Sequence, residues 1–361
     1  MELLLVSPKM EKPNGGIAVW TNIYLDSLTD SDVSVSLLNT APVGKRASNG
    51  SARRNLADEV VRTAGIFKEL KKLLKNKRFD IIHLNTSCGS FGVIRDYLTA
   101  KRIKKAQPSA KIVLHYHCDI PMQIHSSIAK KYLSKLVALA DLNLVLCENS
   151  RKYLEKEFGA ESHKVPNFVG ADIISDSEKN ISDSIRSAFF VGRVSAAKGF
   201  REIYQLAALN PDITFNLAGA VSADASAAEK PENVKLLGPM VHDDVLRAMD
   251  ESDVFIFPTH TEGFSLALAE AMARGLPSIT TDVGANADMI EDKGGIICSV
   301  GDVDAMNSAL DTLSAPEIRR DMSRWCIEKV DTLYRTDKVM ASFIEYYEKL
   351  LEVYHDTIYL G

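Results

Sequence analysis

The chain has 361 residues, 46% of them hydrophobic and 25% charged, with a formal net charge of −5. That length supports two domains with their own cores, and no apolar run approaches the roughly 20 residues needed to span a bilayer. The five cysteines, Cys88, Cys118, Cys147, Cys298 and Cys326, are scattered without a CxxC pair. This favours reduced thiols in a cytosol over a disulfide framework or a zinc site.

Met1 to Pro8 is too short and too soon interrupted for a signal peptide and reads as a first strand. Further strands are expected at Val33 to Leu38, Ile81 to Asn85, Lys111 to His115 and Leu142 to Cys147. In the second half they are expected at Ser187 to Val191, Thr214 to Ala218, Val234 to Leu237, Val254 to Phe257, Pro277 to Thr281 and Gly295 to Cys298. Helical patterns fill the gaps, the signature of parallel α/β domains. Apolar density drops between Pro166 and Asp183, so a first domain over 1–170 and a second over 171–341 are expected, two doubly wound units facing each other across a cleft. Ala220 to Ala228 reads as a small-residue loop.

Charge is divided unevenly. Residues 1–170 carry 26 Lys and Arg against 16 Asp and Glu, a balance of +10, and the remainder is at −15. The cations cluster in Lys68 to Arg78, Lys101 to Lys105 and Lys130 to Lys135, interleaved with Leu and Tyr as on amphipathic helices. Such faces suit an anionic membrane surface or a phosphate-bearing acceptor; they also suit ordinary solvated helices. No aromatic-studded binding motif accompanies them, which argues against nucleic acid.

Several strand exits carry chemistry. Pro13-Asn14-Gly15-Gly16 leads into a helix from Ile17; paired glycines let a backbone approach a ligand, or make a simple turn. His115-Tyr116-His117-Cys118-Asp119 follows an apolar strand. There a metal could be held by the two histidines with Asp119, or one histidine could touch a sugar while the other packs. Gly192-Arg193 to Lys198-Gly199 precedes a helix at Phe200 to Ala208. Arg193 as a fork and Lys198 as a point charge can reach a diphosphate, or both can be surface cations.

The most informative stretch runs from Phe257 to Pro277. A buried strand, Asp253 to Phe257, is followed by Glu262-Gly263-Phe264-Ser265 and by a helix near Ser265 to Gly275, with Pro277 as its stop. Free N–H groups at that helix start suit a phosphate, and a carboxylate deeper in the helix suits sugar hydroxyls. Glu262 and Glu270 alone would pass for solvated charges. The helix is apolar nearly all round, however, so Glu270 within it needs a partner.

These pieces, in this order, resemble the retaining GT-B glycosyltransferases of family 4: the Gly-Gly loop, His117 after its strand, Pro166-Asn167, Gly192-Arg193 to Lys198-Gly199, Leu237-Gly238, and Glu262-Gly-Phe to Glu270-Ala-Met-Ala-Arg-Gly-Leu-Pro277. The resemblance is most specific from Arg193 to Pro277. It implies a hexosyltransferase that moves a sugar from a UDP- or GDP-sugar donor to a saccharide or lipid-linked acceptor, without a metal or other cofactor. It implies catalytic roles for Glu262, Arg193, Lys198 and His117, with Glu270 on the nucleotide ribose. Gly15, Gly16, Asn167, Gly192, Gly238, Gly263, Phe264 and Ser265 would complete the donor site.

A terminal helix near 342–361 would return to pack on the first domain, and the enzyme would be cytoplasmic, peripheral at the inner face of a membrane. Two departures stand out: Asn167-Phe168 where Asn-Gly is common, and Gly284-Ala-Asn-Ala-Asp288 where Gly-Gly-x-x-Glu is common. A nucleotide-sugar epimerase on the same scaffold and a non-catalytic membrane-docked binding protein are the rival readings.

Overall fold

The computed structural model describes residues 1–11, 16–29, 32–42 and 56–359, with side chains described through 352 in the last stretch. It divides into two compact units, Met1–Pro166 with Val339–Gly361, and Asn167–Lys338.

The first unit is one parallel sheet of six strands: β1 (Glu2–Ser7), β2 (Ser34–Asn39), β3 (Ile81–Thr86), β4 (Lys111–Tyr116), β5 (Leu142–Val145) and β6 (His163–Lys164), in the order β2-β1-β3-β4-β5-β6. Leu3 to Val6, Ile81 to Leu84 and Ile112 to Tyr116 are buried along their whole length. A parallel sheet covered by helices on both faces favours such near-continuous apolar runs, broken here by His83 and His115. Each fully buried Leu or Ile contributes about 1.5–3 kcal/mol. Helix Thr336–Tyr359 brings Phe343 and Tyr347 into this unit, both fully buried, with the Tyr347 hydroxyl 2.6 Å from that of Tyr24.

The second unit repeats the plan with β7 (Ser187–Val191), β8 (Thr214–Ala218), β9 (Val234–Gly238), β10 (Val254–Phe257), β11 (Ser278–Thr281) and β12 (Gly295–Cys298), ordered β12-β11-β10-β7-β8-β9 and parallel throughout. Its core includes Phe189, Phe190, Phe215, Phe255 and Phe257, with Phe190 and Phe257 stacked at 6.1 Å. In each unit the chain builds outward from the first strand and then returns to its other side. The reversal lies between β1 and β3 in the first unit and between β7 and β10 in the second. In open α/β sheets, ligands bind beyond the strand carboxyl ends at this reversal.

The structure corrects several boundaries. β2 is shifted by one residue to Ser34–Asn39, β5 stops at Val145, and β11 starts after Pro277. Cys147 instead caps the helix Glu148–Phe158, and Ala223–Ala227 forms a short helix where a loop was expected. All five cysteines are free and buried. Among the described residues, no helix is long and apolar enough to cross a membrane.

Candidate functional site

The second unit's reversal point assembles the predicted donor residues. The exit of β7 runs Gly192 to Lys198, the last three residues forming a 3-10 turn before helix Phe200–Leu209. The exit of β10 runs Pro258 to Ser265 before helix Leu266–Ala273. The two exits are locked together by glycine. A Cβ on Gly199, which sits at φ +77°, would lie 2.1 Å from the Pro258 carbonyl oxygen. A Cβ on Gly219 would lie 1.9 Å from that of Gly192, so the β8 exit is pinned to the β7 exit in the same way.

Across this locked pair, the Lys198 ammonium pairs with Glu262 and donates to the Thr261 carbonyl at 3.2 Å. Both side chains are mostly buried, at 24% and 17% exposure. A lysine and a carboxylate expected to serve one ligand therefore neutralise each other in this structure. Arg193 is exposed, and no protein group among the described residues engages its guanidinium.

Ser265 caps the following helix, its Oγ accepting from the Leu268 N–H at 3.1 Å. Among the described residues, the N–H groups of Gly263, Phe264 and Ser265 donate to nothing. Three successive unengaged donors at a helix start form an anion-binding concavity. The β11 exit supports them: the Ala285 N–H donates to the Gly263 carbonyl at 2.8 Å, and a Cβ on Gly284, at φ +60°, would lie 2.6 Å from the Glu262 carbonyl oxygen. Phe264 is buried edge-on against Tyr334 at 5.5 Å.

Glu270 has a protein partner. Its Oε1 lies 3.0 Å from Nε2 of His242, at the start of helix His242–Glu251, and the Glu270 hydrogen bond and charge hold the His242 imidazole above its ordinary range. Sequence reasoning missed His242, and it missed a second pair on the β10 exit, His260 Nε2 with the buried Glu202 carboxylate at 2.7 Å. Both join residues from different elements, so no local spacing announces them.

The other predicted contacts are more dispersed. Gly238, at φ +71°, ends β9 and accepts from the Gly219 N–H at 2.7 Å. Asn167 is buried, with an Oδ1 that accepts from nothing among the described residues. Gly16 opens helix Gly16–Ser27, and an added Cβ there would meet nothing within 4 Å among the described residues, while Gly15 lies outside them. At the end of β4, the His115 and His117 rings are 4.0 Å apart, centroid to centroid. Asp119 does not join them. It accepts from the Asn149 amide at 2.9 and 3.1 Å and from Ser150 at 3.4 Å.

The basic clusters also have a definite place. Helices Leu56–Asn76 and Ser90–Ala106 flank a groove of about 700 Å³. Its floor is Phe67, Leu70 and Leu74, and its rim is Lys68, Lys71, Lys75, Arg102 and Lys105. These residues occupy the carboxyl-terminal halves of both helices, beside the amino ends of the strands that follow. The groove therefore lies at the end of the sheet remote from the strand carboxyl ends.

Known proteins match along the same division. Residues 14–172 match the family model described as Glycosyltransferase Family 4, and residues 174–328 the one described as Glycosyl transferases group 1. The chain is 25% identical over 333 residues to the UDP-Gal:alpha-D-GlcNAc-diphosphoundecaprenol alpha-1,3-galactosyltransferase of Escherichia coli, covering 82% of this chain and 84% of that protein. Among solved structures, sucrose-phosphate synthase from Thermosynechococcus elongatus superposes with a TM-score of 0.75 at 16% identity, over 98% of this chain and 99% of that one. Anabaena HepE in complex with UDP gives 0.74 at 15% identity, over 97% and 100%. At these identities the structural likeness establishes the GT-B fold.

Proposed function

The chain belongs to glycosyltransferase family 4, and from that premise we propose that it moves a hexosyl unit from a nucleoside diphosphate sugar to a saccharide or lipid-linked acceptor hydroxyl, with retention at the anomeric carbon. The observation that carries this reading is the convergence of Lys198, Arg193, Glu262 and three unengaged N–H groups on one strand-order reversal. UDP in the HepE structure and UDP-Gal in the Escherichia coli relative's name support a nucleotide-linked donor.

In this reading Arg193, Lys198 and the N–H groups of Gly263, Phe264 and Ser265 receive the diphosphate. Negative charge grows on the leaving group, so these donors stabilise the transition state more than the ground state. They supply the positive charge that a divalent ion would otherwise provide, and a metal is not required. Glu262 contacts the transferred sugar, Glu270 the ribose hydroxyls, and His117 the sugar's far hydroxyls. Asn167, Gly192 and Gly238 line the donor, with Gly15 and Gly16 on the diphosphate. The departing phosphate oxygen takes the acceptor proton on the same face.

The diphosphoundecaprenol in the relative's name supports a lipid-linked acceptor, as in cell-surface polysaccharide assembly. The basic groove supports docking at the anionic cytoplasmic face of a membrane; its remoteness from the strand carboxyl ends makes it an anchor and not an acceptor subsite. Incubation with labelled UDP- and GDP-sugars and lipid-linked saccharides, read by NMR of the product, tests the function. A product with the donor's anomeric configuration supports it. A free altered sugar or sugar nucleotide, formed without acceptor, would identify an epimerase instead. A Glu262→Ala variant that restores function in cells lacking the protein would favour a non-catalytic binding role.

A further inference from the structure

Four side chains inside the first unit form a continuous hydrogen-bonded line. The hydroxyls of Tyr24 and Tyr347 are 2.6 Å apart, Tyr347 bonds Nδ1 of His83, and Nε2 of His83 lies 3.3 Å from Nδ1 of His115. All four are fully buried, walled in by Trp20, stacked on Tyr24 at 4.5 Å, and by Phe343, 5.5 Å from His83. Burial holds His83 down at about 3, against a hydrogen bond with Asn85; burial and then repulsion from the neighbouring histidines hold His117 down at about 3 and His115 well below its ordinary value. Each ring therefore carries one proton, and its tautomer is set by its neighbours.

Acid strength fixes the direction of the line. A phenol hydroxyl is the better donor and an imidazole nitrogen the better acceptor, so Tyr347 donates to Nδ1 of His83 and receives from Tyr24. His83 then bears its proton on Nε2 and donates it to Nδ1 of His115. That leaves the His115 proton on Nε2, where the line ends. Nε2 of His115 and Nε2 of His117 are both buried without a hydrogen-bond partner among the described residues. Unpaired buried nitrogens are costly, and two of them on neighbouring rings, 4.0 Å apart centroid to centroid at a strand's carboxyl end, are suited to a ligand hydroxyl, which both accepts and donates.

We propose that Tyr347 is a positioning residue: acting through His83, it fixes His115 as the Nε2–H tautomer, so that a donor of defined sense stands beside His117 for one sugar hydroxyl. This rests on the reading that the end of β4 meets the transferred sugar. The C-terminal helix thereby sets the hydrogen-bonding sense of a site contact, through a bond between residues 264 apart in sequence.

Long-range proton–nitrogen NMR of the ligand-free protein, labelled with nitrogen-15 in histidine, tests the relay without any donor. The expected result is that His83 and His115 both show the Nε2–H pattern in the wild type. Tyr347→Phe should convert His115 to a mixture of tautomers, while Tyr24→Phe, which deletes a buried hydroxyl but leaves the Tyr347 to His83 bond, should preserve the pattern. In turnover, Tyr347→Phe should lower kcat by about tenfold, the size typical when an imidazole loses its orienting partner, with nucleotide affinity unchanged. A wild-type His115 protonated on Nδ1, or a tautomer unmoved by Tyr347→Phe, would overturn the proposal. So would equal losses of kcat in the two variants. Absence of turnover with every donor would strike the transferase reading instead, and the NMR result would still decide the relay.

Discussion

Lys198 and Glu262 reach each other from the exits of two neighbouring strands, β7 and β10, and form an ion pair. Each is the other's counter-ion, so a diphosphate that draws on Lys198 frees Glu262 for the sugar. Lys198→Met should weaken nucleotide binding and lower kcat/KM by about 10²–10³, the range seen when one transition-state donor is removed. Glu262→Gln should lower kcat and leave nucleotide affinity near wild type. The double variant should lose much less than the combined single losses, because the residues act as a unit. Strict additivity in calorimetry and steady-state kinetics would show that the pair is only a surface contact.

The glycines that lock these exits together give a stability prediction. Gly199→Ala places a Cβ 2.1 Å from a backbone carbonyl at φ +77°, and Gly219→Ala places one at 1.9 Å at φ +128°. Backbone atoms cannot swing away as a flexible side chain can. Each change should cost about 2 kcal/mol or more and distort the adjoining loop. Gly16→Ala meets nothing within 4 Å among the described residues and serves as the control. Thermal unfolding of the three variants checks this, and equal melting temperatures would contradict the packing described.

His242 gives the pH dependence. Its imidazole is raised by the hydrogen bond and charge of Glu270. A raised folded-state value means that the pair stabilises the protein fully below the ordinary imidazole range and that this stabilisation is lost as pH rises through the raised value. His242→Gln should therefore lower the melting temperature at pH 5.5 and leave it unchanged at pH 9. The protonated ring also competes with ribose hydroxyls for Glu270. Nucleotide affinity should accordingly tighten as pH rises across the same interval in the wild type and stay flat in His242→Gln, as read by calorimetric titration at fixed ionic strength.

Parts of this arrangement were legible in the sequence for physical reasons. Strands buried on both faces, such as β1, β7 and β10, show as apolar runs, and Ser265 and Gly275 mark the limits of a helix that the structure places at Leu266–Ala273. The edge strands were less visible. β2 alternates Val and Ser and was displaced by one residue, and β6, only His163–Lys164, exists by pairing with β5 and has no pattern of its own. The partners of Glu270 and Glu202 lie 28 and 58 residues away, and the tyrosine and histidine line joins residues 323 and 264 apart. Only tertiary structure brings such groups together. The His115, His117, Asp119 spacing left a metal site open as an alternative, and only the tertiary structure shows that the chain turns after β4 and gives Asp119 to Asn149 and Ser150.

The basic groove makes a prediction separable from catalysis. Each cation near an anionic bilayer contributes about 1 kcal/mol, so reversing Lys71 and Lys105 to Glu should abolish co-sedimentation with vesicles rich in anionic lipid at physiological salt. Turnover on a soluble acceptor should stay at the wild-type level, since the groove lies away from the strand carboxyl ends. Unchanged vesicle binding would assign the cations to an ordinary solvated surface.

The central claim is that the second unit grips a pyrophosphate through Arg193 and Lys198, and thermal unfolding in the presence of UDP-, GDP- and ADP-sugars tests it most directly. The account predicts that one donor raises the melting temperature of the wild type with increasing concentration and has no such effect on the Arg193→Ala, Lys198→Ala double variant. A double variant that keeps the full shift, or a wild type that no donor stabilises at millimolar concentration, would contradict it.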